Sequence, residues 1–440
     1  MSKDNKYLVV ENYIGGKFVP CSKLIDSFNP STGEIYCKVP DSGPEEVDAA
    51  VRAAKEAFPE WSAKSPAERS KVLNKLADLI EARVEEFAQA ESKDQGKAIT
   101  FARNVDIPRA AYNFRFFASS VLHHTNDCSQ MDHMGCLNYT IRCPVGVAGL
   151  ISPWNLPLYL LTWKIAPAVA TGNTVVAKPS EMTSVTAWMM CQLLEEAGFP
   201  PGVVNIVFGT GPRAGDALVS HPDVPLISFT GSTATARLIT ERSAPYCKKL
   251  SLELGGKNPA IIFADADMEQ CISTTVRSSF SNQGEICLCT SRIFVERSIY
   301  PEFLARFVEA ARRWKTGVPS DPANDNGALI SKEHLQKMSR IKDPKRDRPP
   351  DSTAGRECLG VPSIRHEGDV LTRKTATVFP LNSIYGQPVA ESVERILMGE
   401  ENCSATETAG KANIVDTRHY SILSASYIIK SKRPLTASVD

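Results

Sequence analysis

No run of this sequence is long and apolar enough to cross a membrane. Its most apolar stretch, L-I-S-P-W-N-L-P-L-Y-L-L-T-W-K-I-A-P-A-V-A, is broken by Asn155, Lys164 and three prolines. The first residues, M-S-K-D-N-K-Y-L-V-V-E-N, lack the apolar segment of a secretory leader, so neither a signal peptide nor a membrane span is expected. Charge of one sign is not in excess either, since 50 basic and 50 acidic residues cancel. That removes the electrostatic ground for expecting nucleic acid or an anionic membrane as partner, and leaves a small molecule. Cysteine is not scarce, but its 12 copies are scattered singly from Cys21 to Cys403. In a chain without a leader this favours reduced thiols in the cytoplasm over a disulfide framework.

What is present is ample core. With 440 residues and 42% hydrophobic content the chain has the substance of two or three domains. Ser65-Pro66-Ala67-Glu68 combines an N-cap, a proline at the first helical position and a capping-box acid; Leu73, Leu76, Ile80, Val84 and Phe87 then share one helical face. A shorter helix is read from Val47, Val51, Ala54 and Phe58, and a hairpin over residues 128–145. From Gly146 the pattern alternates strand and helix: V-G-V-A-G-L-I-S, N-T-V-V-A-K-P, a helical S-V-T-A-W-M-M-C-Q-L-L-E-E-A-G, V-V-N-I-V-F-G and L-I-S-F-T-G-S. Such alternation implies a parallel sheet, whose ligands sit beyond the carboxyl ends of its strands. A second unit begins after Gly255, with strands at K-N-P-A-I-I-F and S-R-I-F-V-E-R around a helix from Met268 to Phe280.

The strand ends carry the candidate chemistry. Asn155, in S-P-W-N-L-P, closes a turn or offers its amide to a ligand. Lys178, in A-K-P-S-E, snorkels to solvent or meets an anion. The Gly209 to Gly215 stretch, G-T-G-P-R-A-G, is not G-x-G-x-x-G, but it follows a strand and opens a helix as a phosphate site does. Phe229 to Ser232, F-T-G-S, repeats that arrangement one strand later, with Ser232 as a cap. Glu253, in L-E-L-G-G between leucines, is either a salt-bridged surface acid or a carboxylate in an apolar setting suited to general-base work. Cys287, in N-Q-G-E-I-C, is either a small buried hydrophobe or a thiolate nucleophile beside free amides, since no paired Cys or His motif of a zinc site lies near.

Taken in order and spacing, S-P-W-N-L-P, K-P-S-E, G-T-G, F-T-G-S, L-E-L-G-G and N-Q-G-E-I-C resemble the NAD(P)-dependent aldehyde dehydrogenase superfamily. Within it the chain is most similar to the 2-aminomuconic and 2-hydroxymuconic semialdehyde dehydrogenase branch. The likeness runs from about residue 12 to about residue 337. The fold it implies is α/β: a parallel-sheet NAD-binding domain over 1–127 and 146–254, a small oligomerisation hairpin over 128–145, and a second α/β catalytic domain over 255–341 that is incomplete. The same resemblance implies that Cys287 attacks the aldehyde carbon, that the Asn155 amide and the Cys287 N–H hold the oxyanion of the thiohemiacetal, and that Glu253 activates water to release the acid from the thioester. The CoA-acylating relatives lack that glutamate. Lys178 and Glu181 are implied as ligands of the adenosine ribose, with Trp154 lining the site and Gly209, Gly211, Gly215 and Ser232 near the adenine and pyrophosphate. A carboxylate at Glu181 accepts from a ribose hydroxyl and repels a 2′-phosphate, which favours NAD over NADP. Arg109 is the candidate for the substrate's carboxylate, with Arg115 as competitor; each has a structural ion pair as its other reading. No metal is implied, and the family forms homo-oligomers.

Beyond about Ile341 the resemblance stops. The family's E-x-F-G-P and F-G-G-x-K-x-S-G segments are absent from residues 342–440, where K-D-P-K-R-D-R-P-P-D-S-T-A-G-R-E opens an atypical tail expected to be disordered. Loss of one ribose clamp and of the oligomer's last strand leads to a second expectation: a catalytically impaired variant acting, if at all, as a non-enzymatic subunit.

Overall fold

The computed structural model describes residues 7–340 and the strand Thr377–Pro380. The expected tail over 342–440 lies outside the described residues apart from that strand. The chain divides into two compact units. Residues 7–255 and 315–340 belong to the first, and residues 256–314 with 377–380 to the second.

The first unit is built on a seven-stranded sheet. At one edge a hairpin pairs β1 (Asn12–Ile14) with β2 (Lys17–Val19). Its Gly15 and Gly16 turn has φ of 59° and 82°, left-handed values that match the twist of a two-residue hairpin loop. Five parallel strands continue the sheet: β3 (Val147–Ile151), β4 (Thr174–Lys178), β5 (Val204–Ile206), β6 (Leu226–Gly231) and β7 (Lys249–Leu254). Their spatial order is β7-β6-β3-β4-β5, with β1 antiparallel to β5. Every residue of β3, β4 and β5 is buried, as continuous apolar runs covered on both faces require.

Helices α1 (Pro44–Ala63) and α5 (Pro157–Ala170) pack on this sheet, and α2 (Pro66–Glu81), α3 (Val84–Gln95) and α4 (Ile107–Ser120) pack against α5. The capping box at Ser65 forms as expected: Ser65 Oγ accepts from Glu68 N while the Glu68 carboxylate accepts from Ser65 N at 2.8 Å. Leu73, Leu76 and Ile80 are buried on one face of α2. The expected continuation through Val84 and Phe87 is corrected, because the chain leaves the helix at Arg83 (φ −120°, ψ 25°) and restarts as α3. No glycine or proline marks the break, and Glu85 and Glu86 favour the new N-terminus by meeting its dipole. Phe87 still reaches the core, which also holds Trp61, whose indole N–H donates to Val169 O at 3.0 Å. The expected helix over Ser184 to Gly198 is likewise two, Val185–Cys191 and Leu194–Ala197.

Residues 315–340, read from the sequence as part of the second domain, cluster with the first unit. The reason is backbone pairing across Gly96: Ile99 N donates to Pro319 O at 2.8 Å and Ala328 N to Gly96 O at 2.7 Å. A hairpin forms within 128–145, from antiparallel Cys128–Met131 and Cys136–Tyr139. It is exposed almost throughout, and Met134, Leu137, Tyr139 and Ile141 present apolar side chains to solvent.

In the second unit, β8 (Asn258–Ile262), β9 (Thr290–Val295) and β10 (Thr377–Pro380) form a parallel sheet in that order. Helix α7 (Met268–Phe280), numbered after α6 (Thr233–Ser243) of the first unit, is capped by Asp267, whose carboxylate accepts from Glu269 N and Gln270 N. It packs with α8 (Tyr300–Arg312) around Ile272, Val276, Ile293, Phe303 and Phe307.

Candidate active site

The S-P-W-N-L-P loop comes after β3 and ends in Pro157, which sits in the first turn of α5, where a missing N–H costs nothing. The loop is held stiffly. Asn155 O accepts from Lys97 Nζ at 3.1 Å, Leu158 N donates to Glu91 Oε1 at 3.1 Å, and the Trp154 ring meets His334 edge-on at 5.3 Å. Asn155 is half-buried in this loop.

The cofactor candidates of β4 and β5 come together. Lys178 is 4% exposed, so it does not snorkel. Its Nζ donates to Gly209 O at 2.8 Å and Pro179 O at 2.9 Å and pairs with Glu181 at 3.3 Å. Burial lowers the lysine's pKa, and Glu181 partly offsets that. Gly215 packs on the lysine stem, since a Cβ there lies 3.7 Å from Lys178 Cδ and Cε. Gly209 has φ of 155° and no room for a side chain, a Cβ meeting Ala214 Cβ at 2.8 Å and Ser42 N at 3.0 Å; Gly211 opens to empty space. Residues Gly211–Gly215 form a single wide turn that leads into the short helix Asp216–Ser220. Ser232 caps α6, its Oγ accepting from Thr235 N at 3.1 Å. These residues fit a dinucleotide: a shoulder without side chains at Gly209 and Gly211, beside a partly exposed carboxylate at Glu181 able to accept from ribose hydroxyls.

Glu253 occupies β7, in register with Thr230 of β6. The expected apolar setting is corrected: Glu253 is exposed, because strand alternation turns Leu250, Leu252 and Leu254 to the core and Glu253 to the other face. Sequence reasoning missed its neighbour. Lys164, on α5 and 5% exposed, donates to Ser228 Oγ at 3.0 Å. Burial lowers its pKa from 10.5 to about 8, and the Glu253 charge opposes that fall. The signal was available as a lysine interrupting an otherwise apolar helix.

A lysine whose folded pKa is depressed costs stability while it is charged, so the cost is full below about pH 8 and is relieved as pH rises towards 10.5. Lys164→Met is therefore expected to raise the melting temperature by several degrees at neutral pH, with the gain shrinking between pH 8 and 10.5. Thermal melts of both proteins across that range check it, and a difference independent of pH refutes it.

Cys287 lies in the second unit. Before it the backbone turns through three consecutive left-handed residues, Asn282 (φ 52°), Gln283 (φ 58°) and Gly284 (φ 74°). Asn258 Nδ2 ties the loop down by donating to Cys287 O at 2.5 Å and Cys289 O at 3.2 Å. Cys287 is exposed and Cys289 buried, so the two differ in role: only Cys287 is open to a reactant.

The two arginines also separate. Arg115 is committed to Asp78 at 2.7 Å and Glu81 at 2.5 Å. Arg109 pairs with no carboxylate among the described residues. Its guanidinium lies among the rings of Tyr112, Tyr159 and Trp163, at 5.0, 5.5 and 5.6 Å, and its buried Nε has no acceptor there.

The first unit thus supplies a parallel sheet ending in these loops with a buried lysine and an acid, and the second supplies an exposed cysteine. Residues 18–356 match the Aldehyde dehydrogenase family, and the chain belongs to it. The match extends somewhat past the last motif legible in the sequence. A 2-aminomuconic semialdehyde dehydrogenase of Danio rerio is 95% identical over 338 residues, which cover 77% of this chain and 69% of that protein. The human protein of the same name is 72% identical over 338 residues, with the same coverage. Among solved structures, an aldehyde dehydrogenase from Bacillus cereus in complex with NAD+ superposes with a TM-score of 0.78 at 34% identity, covering 88% of this chain and 81% of that one. These neighbours support NAD as cofactor, and family membership makes the chain an aldehyde dehydrogenase. No helix among the described residues is long and apolar enough to cross a membrane.

Proposed function

We propose that the chain oxidises a semialdehyde bearing a carboxylate, of the 2-aminomuconic kind, to the corresponding acid. The observation carrying this reading is the 95% identity over 338 residues to a relative of that name, within a family match that includes Asn155, Glu253 and Cys287. The Cys287 thiolate attacks the aldehyde carbon. The Asn155 amide and the Cys287 N–H hold the resulting oxyanion, a task in which each donor is worth about 10²–10³ in rate. A bound NAD would supply the acceptor for the hydride that leaves the former aldehyde carbon, leaving a thioester on Cys287. Glu253 then takes a proton from the water that hydrolyses the thioester on Cys287. Lys178, Glu181, Gly209, Gly211, Gly215 and Ser232 hold the cofactor in this reading, and Trp154 lines its site.

Arg109 receives the substrate carboxylate, supported by its uncommitted guanidinium. Arg109→Met is expected to raise KM for a carboxylated semialdehyde about 10²-fold, while leaving an uncharged aldehyde unaffected and Arg115→Met near wild type. Steady-state kinetics on both substrates test it; equal losses on the two aldehydes exclude Arg109 as the carboxylate site. The 128–145 hairpin is read as the self-association surface because of its exposed apolar residues. Leu137→Lys with Tyr139→Lys is expected to shift sedimentation to the monomer, and an unchanged sedimentation coefficient refutes this.

A second reading, the impaired variant, is favoured by one observation: the match to the Danio rerio relative takes in only 69% of that protein's length. The two readings part on semialdehyde oxidation by the purified chain. Turnover comparable to the relatives excludes the impaired variant. Absent turnover, with no rise in melting temperature on adding NAD, excludes the enzyme.

A further inference from the structure

Beneath the S-P-W-N-L-P loop lies a set of charges cut off from water. Glu91, Lys97 and Asp106 are each 0% exposed. They come from three places in the chain: the last turn but one of α3, the loop after it, and the end of the wide helical turn Ala102–Asp106. Lys97 Nζ pairs with Asp106, donates to Asn155 O at 3.1 Å, and lies over the Phe101 ring at 5.6 Å. Glu91 takes the other end of the loop, accepting from Leu158 N at 3.1 Å and from Thr186 Oγ1 at 2.5 Å. Burial raises the pKa of both acids, and the Lys97 ammonium opposes it.

Buried charges of this kind are poor stabilisers, because desolvation offsets their attraction, and apolar residues of the same volume serve a core as well. Their use here is directional. The ammonium binds one specific carbonyl, and that carbonyl belongs to the residue whose amide is proposed to hold the oxyanion. Fixing the Asn155 carbonyl fixes the plane of the peptide it belongs to, and so restricts the backbone torsion that sets where its side chain leaves. The wide turn ending at Asp106 adds to this, since such i→i+5 turns inside helices gather at functional sites.

We infer that Lys97, braced by Asp106, is a positioning residue for the oxyanion donor Asn155. This rests on the roles proposed for Cys287 and Asn155. The test uses acylation of the full chain by para-nitrophenyl acetate without NAD, which isolates the oxyanion step from hydride transfer. The Cys287 thiolate attacks the acetyl carbon, the C–S bond forms, the bond to para-nitrophenolate breaks, and the thiol proton goes to solvent. Asn155→Ala and Lys97→Met are each expected to slow nitrophenolate release about 10²-fold. The two together are expected to be no slower than Asn155→Ala alone, because one acts through the other. Lys97→Met strands the Asp106 carboxylate, so Lys97→Met with Asp106→Asn, which leaves a neutral pair, is run beside it with thermal melts of each. Deficits that multiply with Asn155→Ala, wild-type acylation by the neutral pair, or a loss that merely tracks the unfolded fraction overturn the inference. Wild-type acylation by Asn155→Ala overturns the oxyanion reading itself, and the inference with it.

Discussion

Cys287→Ser is expected to lower aldehyde oxidation by about 10⁴-fold or more, the scale on which a covalent nucleophile is missed. Added NAD is expected still to raise the variant's melting temperature. A hydroxyl gives up its proton far less readily than a thiol, so serine keeps the shape and loses the nucleophile. The turn is set by left-handed backbone at Asn282, Gln283 and Gly284, and it is anchored by Asn258 through the carbonyls of residues 287 and 289. Two successive non-glycine residues at positive φ are costly, and such strain collects where a side chain must be presented in one direction. The cofactor candidates Lys178, Glu181 and Gly209 belong to the other unit, so the NAD-induced shift provides an independent control. Retained oxidation excludes Cys287 as nucleophile. Loss of the NAD shift as well means that the substitution has damaged the fold.

Much of the fold was legible because local signals agreed with it. The capping box at Ser65, the uninterrupted apolar strands before Ser152 and Lys178, and the 146–254 alternation each came from residues close in sequence. What escaped was decided at long range. Nothing local says that α2 ends before Val84, since the apolar period runs straight through the break to Phe87. Residues 315–340 joined the first unit by backbone bonds to Gly96 and Ile99, which their own composition does not announce. The supporting lysines were missed for the same reason. Lys97 looks like a solvated charge until the fold buries it under Asn155, whereas Lys164 interrupts an apolar helix and only its nearness to Glu253 is decided at long range. The candidate reacting groups were therefore easier to find than the groups that hold them.

Glu253→Gln is expected to separate the two halves of the reaction. One equivalent of NADH is expected to appear per Cys287 at close to the normal rate, before turnover slowed about 10²–10⁴-fold, the usual contribution of a general base. Alternation along β7 leaves Leu250, Leu252 and Leu254 on the core and turns Glu253 to the open face, where water reaches it. Glutamine has the same size, keeps an acceptor oxygen and does not take up the proton, so only steps needing a base suffer. Those are steps after the thioester has formed. Intact mass of the variant after one turnover is expected to show Cys287 carrying the acyl group, which slow hydrolysis leaves in place. A burst that vanishes along with turnover assigns Glu253 to thiolate formation or hydride transfer instead, and unimpaired turnover removes it from the mechanism.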